Sequence, residues 1–212
     1  MSGLDKDILR KTCDYYTKKI KDFGRTSKGV DWNSKESQFL RFEQLSKLLS
    51  NVGQNEIVTL CDYGCGFGSY AGYLRDNNHI VDYTGMDVSQ EMIKAAEVEN
   101  KGLDKAVFIC GSEIENKFDY IVASGIFNVK QEISDDDWKE YMIDILNKFN
   151  NHAEKGFSFN CLTKYSDKEY MKDYLYYSDP LFFFDYAKRH FSRNVALLHD
   201  YDLYEYTMIV RK

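Results

Sequence analysis

Three glycines at alternate positions, in Asp62-Tyr63-Gly64-Cys65-Gly66-Phe67-Gly68, directly follow the apolar run Ile57-Val58-Thr59-Leu60-Cys61. Glycine adopts backbone conformations that a β-carbon disfavours, so this spacing marks a tight turn after a buried strand. The next residues, Ser69 to Asp76, read as a helix. A strand, a glycine turn and a helix form the opening unit of a parallel α/β sheet. The alternation continues. Tyr83-Thr84-Gly85-Met86 is a second strand, and Ser89 caps a helix running to Glu99. Ala106-Val107-Phe108-Ile109-Cys110 and Tyr120-Ile121-Val122-Ala123 are the third and fourth strands.

The clearest helix begins at Ser134-Asp135-Asp136-Asp137, a capping box with acids in the first turn. Trp138, Tyr141, Met142, Ile145, Leu146 and Phe149 then recur at helical spacing and require a sheet to cover them. Phe157-Ser158-Phe159-Asn160-Cys161 is a fifth strand. Val195-Ala196-Leu197-Leu198 and Tyr206-Thr207-Met208-Ile209-Val210 are joined by a connection too short for a parallel crossover, so they pair antiparallel. The expected fold is a doubly wound, Rossmann-like α/β sheet of seven strands, mostly parallel, with an antiparallel C-terminal hairpin strand. Residues 1–50 read as a helical cap on a domain spanning 51–212. Within that domain, an aromatic insertion lies at about 163–194.

Composition narrows the function. The chain has 212 residues, one proline and a net charge of −6. A basic stripe for nucleic acid is lacking, so nucleic acid is not the expected partner. The longest uncharged stretch, Tyr63 to Leu74, is too short to span a membrane. The N-terminus, from Met1, carries no apolar leader core. Five cysteines without paired zinc spacing suit a reducing cytoplasm and no metal.

The glycine loop also selects a ligand. Dinucleotides use Gly-x-Gly-x-x-Gly with a pyrophosphate over the helix end. Here the third glycine comes one residue early, and Asp62 is unfavourable beside a pyrophosphate. A cationic nucleoside such as S-adenosylmethionine suits that acid. Asp87 closes the second strand 23 residues after Gly64, where a carboxylate can take both ribose hydroxyls.

Asp62-x-Gly64-x-Gly66-x-Gly68, Tyr83-Thr84-Gly85-Met86-Asp87-Val88-Ser89 and Phe118-Asp119-Tyr120-Ile121-Val122 together resemble three motifs of the class I S-adenosylmethionine-dependent methyltransferases. The resemblance covers about residues 30–212. It implies that Asp62, Gly64, Gly66 and Gly68 wrap the methionine part and that Asp87 holds the ribose. Met86 and Val88 would lie against the adenine, and Ser112 or Glu113 would reach its amino group. Ser124, Gly125 and Phe127 would face the sulfonium. Arg41, on the second N-terminal helix, is a candidate for the cofactor carboxylate. Ala123 to Val129, with Phe191 to Tyr201, resembles a small bacterial branch associated with surface-polysaccharide gene clusters. That association implies a sugar or sugar-nucleotide acceptor.

The expected reaction is transfer of the methyl group to an O or N of a small-molecule acceptor, with S-adenosylhomocysteine leaving. Alignment carries much of such a reaction, and a base serves a hydroxyl acceptor. His199, His190 and Tyr177 are the candidates. RNA or protein methylation and a non-catalytic cofactor-binding module are the alternatives. Amino-methylating DNA enzymes are excluded, because the single proline cannot supply their Pro-Pro motif.

Overall fold

The computed structural model describes residues 3–53 and 56–212; of Gly3, only the backbone. Met1 and Ser2, part of the stretch read against a leader, lie outside it. Seven strands form one sheet in the order β3-β2-β1-β4-β5-β7-β6. They are β1 (Val58–Tyr63), β2 (Val81–Asp87), β3 (Ala106–Cys110), β4 (Phe118–Ala123), β5 (Ala153–Leu162), β6 (Asn194–Leu198) and β7 (Glu205–Arg211). The first five run parallel, and β7 inserts antiparallel between β5 and β6. The expected fold class is the one observed.

Six helices accompany the sheet among the described residues: α1 (Gly3–Phe23), α2 (Lys35–Ser46), α3 (Ser69–Asp76), α4 (Gln90–Glu99), α5 (Asp135–His152) and α6 (Pro180–His190). Helix α5 starts where its cap requires, with Ser134 Oγ accepting from the Asp137 amide at 3.1 Å. Its apolar stripe packs into a core with Phe127, Phe157 and Phe159. Each such buried side chain contributes about 1.5–3 kcal/mol relative to exposure. A second cluster, including Leu45, Leu60, Tyr70 and Ile209, covers the other face. No helix among the described residues is long and apolar enough to cross a membrane.

Helix α6 lies inside the aromatic stretch. Asp179 caps it by accepting from the Leu181 amide at 3.0 Å, and Pro180 occupies its first turn. Proline there loses no intrahelical hydrogen bond, and its fixed φ suits a helix start.

This topology decides where ligands can sit. Strands β2 and β4 flank β1, so the chain leaves the ends of β1 and β4 in opposite directions. A crevice opens at that switch point, and the glycine loop stands in it.

Candidate functional site

Two clefts meet above the carboxyl ends of the strands. The first has about 900 Å³ of empty space. Its floor is the glycine loop. Gly66 sits at φ +54, and a β-carbon there would lie 2.8 Å from Val30 Cγ1. The Gly66 amide donates to Asp87 Oδ2 at 3.0 Å, and the Ser89 amide donates to Oδ1 at 2.8 Å. Burial pushes Asp87 up to about 6 against those amides, which favour its charge. Asp62 is also buried and accepts from the Tyr83 hydroxyl. Burial raises it to about 7; the tyrosine opposes this and the Asp87 charge adds to it.

The N-terminal helices form the roof. Leu9, Thr12 and Tyr16 of α1 line the first cleft, as do Gln38 and Phe42 of α2. Helix α1 is tied to the rim by polar contacts. The Cys13 thiol donates to the Val88 carbonyl at 3.3 Å, and the Thr17 and Ser89 hydroxyls bond at 2.7 Å. Tyr15 and Lys19 both reach Asp31 at 2.6 Å.

The second cleft has about 1200 Å³ of empty space and shares Tyr16, Val30, Trp32 and Gly125 with the first. Gly125 has φ +74, and a β-carbon on it would collide with the Trp32 ring. A buried polar network fixes this shared wall. The Gly125 amide donates to Asn160 Oδ1 at 2.8 Å, and Asn160 Nδ2 donates to Glu205 at 2.5 Å. Glu205 also takes both arms of the Arg41 fork, at 2.8 and 2.7 Å. The Arg41 guanidinium in turn lies 4.1 Å from the Trp32 ring centroid. The loop after β4, the sheet and the N-terminal cap are therefore held by one connected set of hydrogen bonds.

The expected site residues divide under this geometry. Asp62, Gly64, Gly66, Met86, Asp87, Val88, Ser124 and Gly125 line the first cleft together. Gly68 turns the chain into α3 just behind it. Gly111, not Ser112 or Glu113, reaches the wall. Ser112 uses its carbonyl to accept from Tyr63, and Glu113 pairs with Lys148 outside. Arg41 requires correction: its fork is filled by Glu205 and it stands on the second cleft. Phe127 is likewise displaced, sealed in the core edge-on to Phe159. Phe127→Ala is expected to cost about 3–5 kcal/mol of stability, read by denaturant unfolding. Neither histidine candidate lines a cleft. His190 is at the exposed end of α6, and His199 is an exposed loop residue against Tyr165 and Tyr206. Tyr177 does line the second cleft, its hydroxyl accepting from the Lys172 amide at 3.0 Å. No cluster of three metal-binding side chains occurs among the described residues.

Trp32, Asn160 and Glu205 are absent from the motif reading. Asn160 carried a signal, a polar residue at a position of β5 that the sheet buries completely. Glu205 carried the same signal at the start of β7, but nothing local pointed to Arg41.

The comparisons agree with this architecture. Residues 61–156 match the model of a methyltransferase domain. The methyltransferase-family protein Rv1506c of Mycobacterium tuberculosis (strain H37Rv) is 50% identical over 161 residues, 76% of this chain and 97% of that one. The chain belongs to the methyltransferase family. Its fold is similar to that of the magnesium protoporphyrin IX methyltransferase of Synechocystis PCC 6803 with bound SAH. The TM-score is 0.67 at 15% identity, covering 96% of this chain and 99% of that one. The plantazolicin methyltransferase BpumL in complex with SAH and a plantazolicin analogue gives a TM-score of 0.61 at 16% identity. That match covers 99% of this chain and all of the other.

Proposed function

We propose that the first cleft holds S-adenosylmethionine, that the second holds a carbohydrate acceptor, and that methyl transfer to an acceptor O or N takes place at their shared wall. The observation carrying this reading is the meeting of the two clefts at Tyr16, Val30, Trp32 and Gly125. The first cleft fits the cofactor on its own residues. Its glycine floor leaves room that a β-carbon would fill. The Ser124 hydroxyl is buried in the wall with no hydrogen-bond partner among the described residues, so it offers a polar ligand an unused donor and acceptor.

When bound, the cofactor supplies a methyl group on a positively charged sulfur, already activated for displacement. The chain's part is alignment. Asp87 is set to accept from ribose hydroxyls, with Met86 and Val88 beside the base. Asp62 faces the cationic end. Trp32, held by Arg41, and Gly125, held by Asn160, fix the width of the passage. A fixed passage lowers the entropic part of the barrier. On the acceptor side, Tyr170, Tyr174, Tyr177 and Tyr204 offer ring faces with polar tips, a surface that suits sugars. The described part of the N-terminal cap, residues 3–50, closes the cofactor cleft. The five free thiols support a reducing compartment, the cytoplasm.

Calorimetry with S-adenosylmethionine tests the first half. Affinity is expected to fall as pH drops from 8 to 5, because Asp62 and Asp87 gain protons near 7 and near 6 and lose the charge that accepts. Where Asp62 alone protonates the loss approaches about tenfold per pH unit, and below pH 6, where both acids must be ionised, it steepens toward about a hundredfold per unit. Asp87→Asn removes the lower step and binds weakly throughout. Transfer of radiolabelled methyl from the cofactor into a panel of glycans and nucleotide sugars tests the second half. Cofactor binding without transfer to any carbohydrate overturns the acceptor assignment.

A further inference from the structure

We infer that the acceptor is a carbohydrate carrying an oxyanion, a carboxylate or a phosphate, and that Lys172 at the mouth of the second cleft reads it. The inference rests on the acceptor reading above and adds the charge of the substrate.

Four charged residues line that cleft: Asp31, Arg41, Lys172 and Glu205. Three are matched within the protein. Arg41 and Glu205 neutralise each other in a bidentate, buried pair. Asp31 is matched by Lys19, whose ammonium lies 2.6 Å away. Lys172 has no carboxylate within ion-pair distance among the described residues. Lys172 is therefore the one lining side chain whose charge has no counter-charge among the described residues; Asp167, outside the lining, accepts from the Tyr204 hydroxyl on the same wall. An ammonium without a counter-ion at the edge of a cleft is a group that an anionic substituent can meet.

The loop that carries Lys172 is built to present it. The Lys172 amide donates to the Tyr177 hydroxyl, and its carbonyl accepts from the Leu175 amide at 3.0 Å. Its ammonium lies 5.8 Å from the Tyr174 ring centroid. The Val129–Leu175 bridge ties this loop back to the chain segment following β4. The Tyr170 ring lies tilted beside that of Tyr204 on the same wall, with ring centroids 6.0 Å apart. The rings give a sugar its stacking faces, and the ammonium lies at their edge. A charged group attached to the ring system of the acceptor can then meet Lys172 while a hydroxyl points to the passage at Gly125.

The test is calorimetric titration of the full chain, saturated with S-adenosylhomocysteine, with glucose, glucuronate, glucose 6-phosphate, UDP-glucose and 4-hydroxybenzoate. At least one anionic sugar is expected to bind about fivefold or more tighter than glucose, the upper range for an exposed charge pair. The preference should shrink with added salt. Glucuronate against glucose 6-phosphate and UDP-glucose separates a carboxylate from a phosphate source. Lys172→Gln should bring the anionic sugars down to the affinity of glucose, whereas Tyr170→Ala should weaken every sugar. Equal binding of glucose and all three anionic sugars overturns the inference and leaves the carbohydrate reading intact. Preference for 4-hydroxybenzoate over every sugar overturns the carbohydrate reading and, with it, this assignment. Failure of all five probes to bind the loaded protein overturns both, while binding of the cofactor product still supports the first cleft. An anionic preference that survives in Lys172→Gln removes Lys172 as its reader.

Discussion

Replacing Glu205 with alanine is expected to destabilise the protein by about 3–5 kcal/mol, because Arg41 is left buried with an unpaired charge. The Arg41 and Glu205 side chains are 8% and 2% exposed, so water cannot take over the lost role. Asn160 Nδ2 loses its acceptor in the same step. For a chain of this size, the loss corresponds to a fall of roughly 10 °C in Tm. Thermal unfolding of Glu205→Ala, Arg41→Ala and Arg41→Met/Glu205→Leu measures it. The double variant should recover part of the stability, because no charge remains without a partner while Asn160 Nδ2 still lacks its acceptor. Its cofactor binding should also survive, since neither residue lines the first cleft. Its acceptor chemistry should suffer, because Trp32 has lost the guanidinium that held it. If the single variants lose less than about 1 kcal/mol, the pair behaves as a surface ion pair and the network does not fix the wall.

The second large effect concerns the glycine floor. Gly66→Val is expected to abolish S-adenosylmethionine binding, a loss of at least about a hundredfold, or roughly 2.7 kcal/mol at 1.36 per decade. Two costs combine. The φ of +54 is left-handed, which costs a β-carbon about 1–2 kcal/mol. The new side chain also projects toward Val30, into the roof of the cofactor cleft. Calorimetry gives the affinity, and far-ultraviolet circular dichroism confirms that the sheet remains. Gly72 on α3 is the control. A β-carbon there meets nothing, and the position has ordinary helical backbone. Gly72→Ala should gain about 0.5–1 kcal/mol and leave binding unchanged. Equal losses at both positions would mean that Gly66 matters for folding and not for the ligand.

The two predictions concern parts of the site that were unequally legible. The glycine floor and Asp87 are written within short stretches, each tied to a strand end. Such motifs are legible in the sequence, because backbone geometry couples neighbours along the chain. Strand β3 and the cap of α5 were legible for the same reason. The Arg41–Glu205 pair was not, because its members are 164 residues apart and only the sheet order brings them together. Arg41 offered a cation near the cofactor, and the sequence could not say that an acid from β7 would take it. Helix α6 was hidden differently. Leu181-Phe182-Phe183-Phe184 is apolar at every position, so no period shows, yet only Phe183 of these is buried. The Asp179-Pro180 cap was the readable sign. Phe127 misled for a related reason, since a motif fixes where a residue lies along the chain but not which way its side chain turns.

Trp32 has a practical consequence. The chain holds two tryptophans. Trp138 is sealed in the core, its indole N–H donating to the Phe127 carbonyl at 2.9 Å. Trp32 stands in the partition between the chambers, under a guanidinium. Its emission therefore reports on both ligands, while Trp138 supplies a steady background. A Trp138→Phe protein would make that partition a single-tryptophan sensor, excited apart from the 17 tyrosines. Cofactor entry and acceptor entry could then be timed separately by stopped flow, with no label attached and no knowledge of the product required.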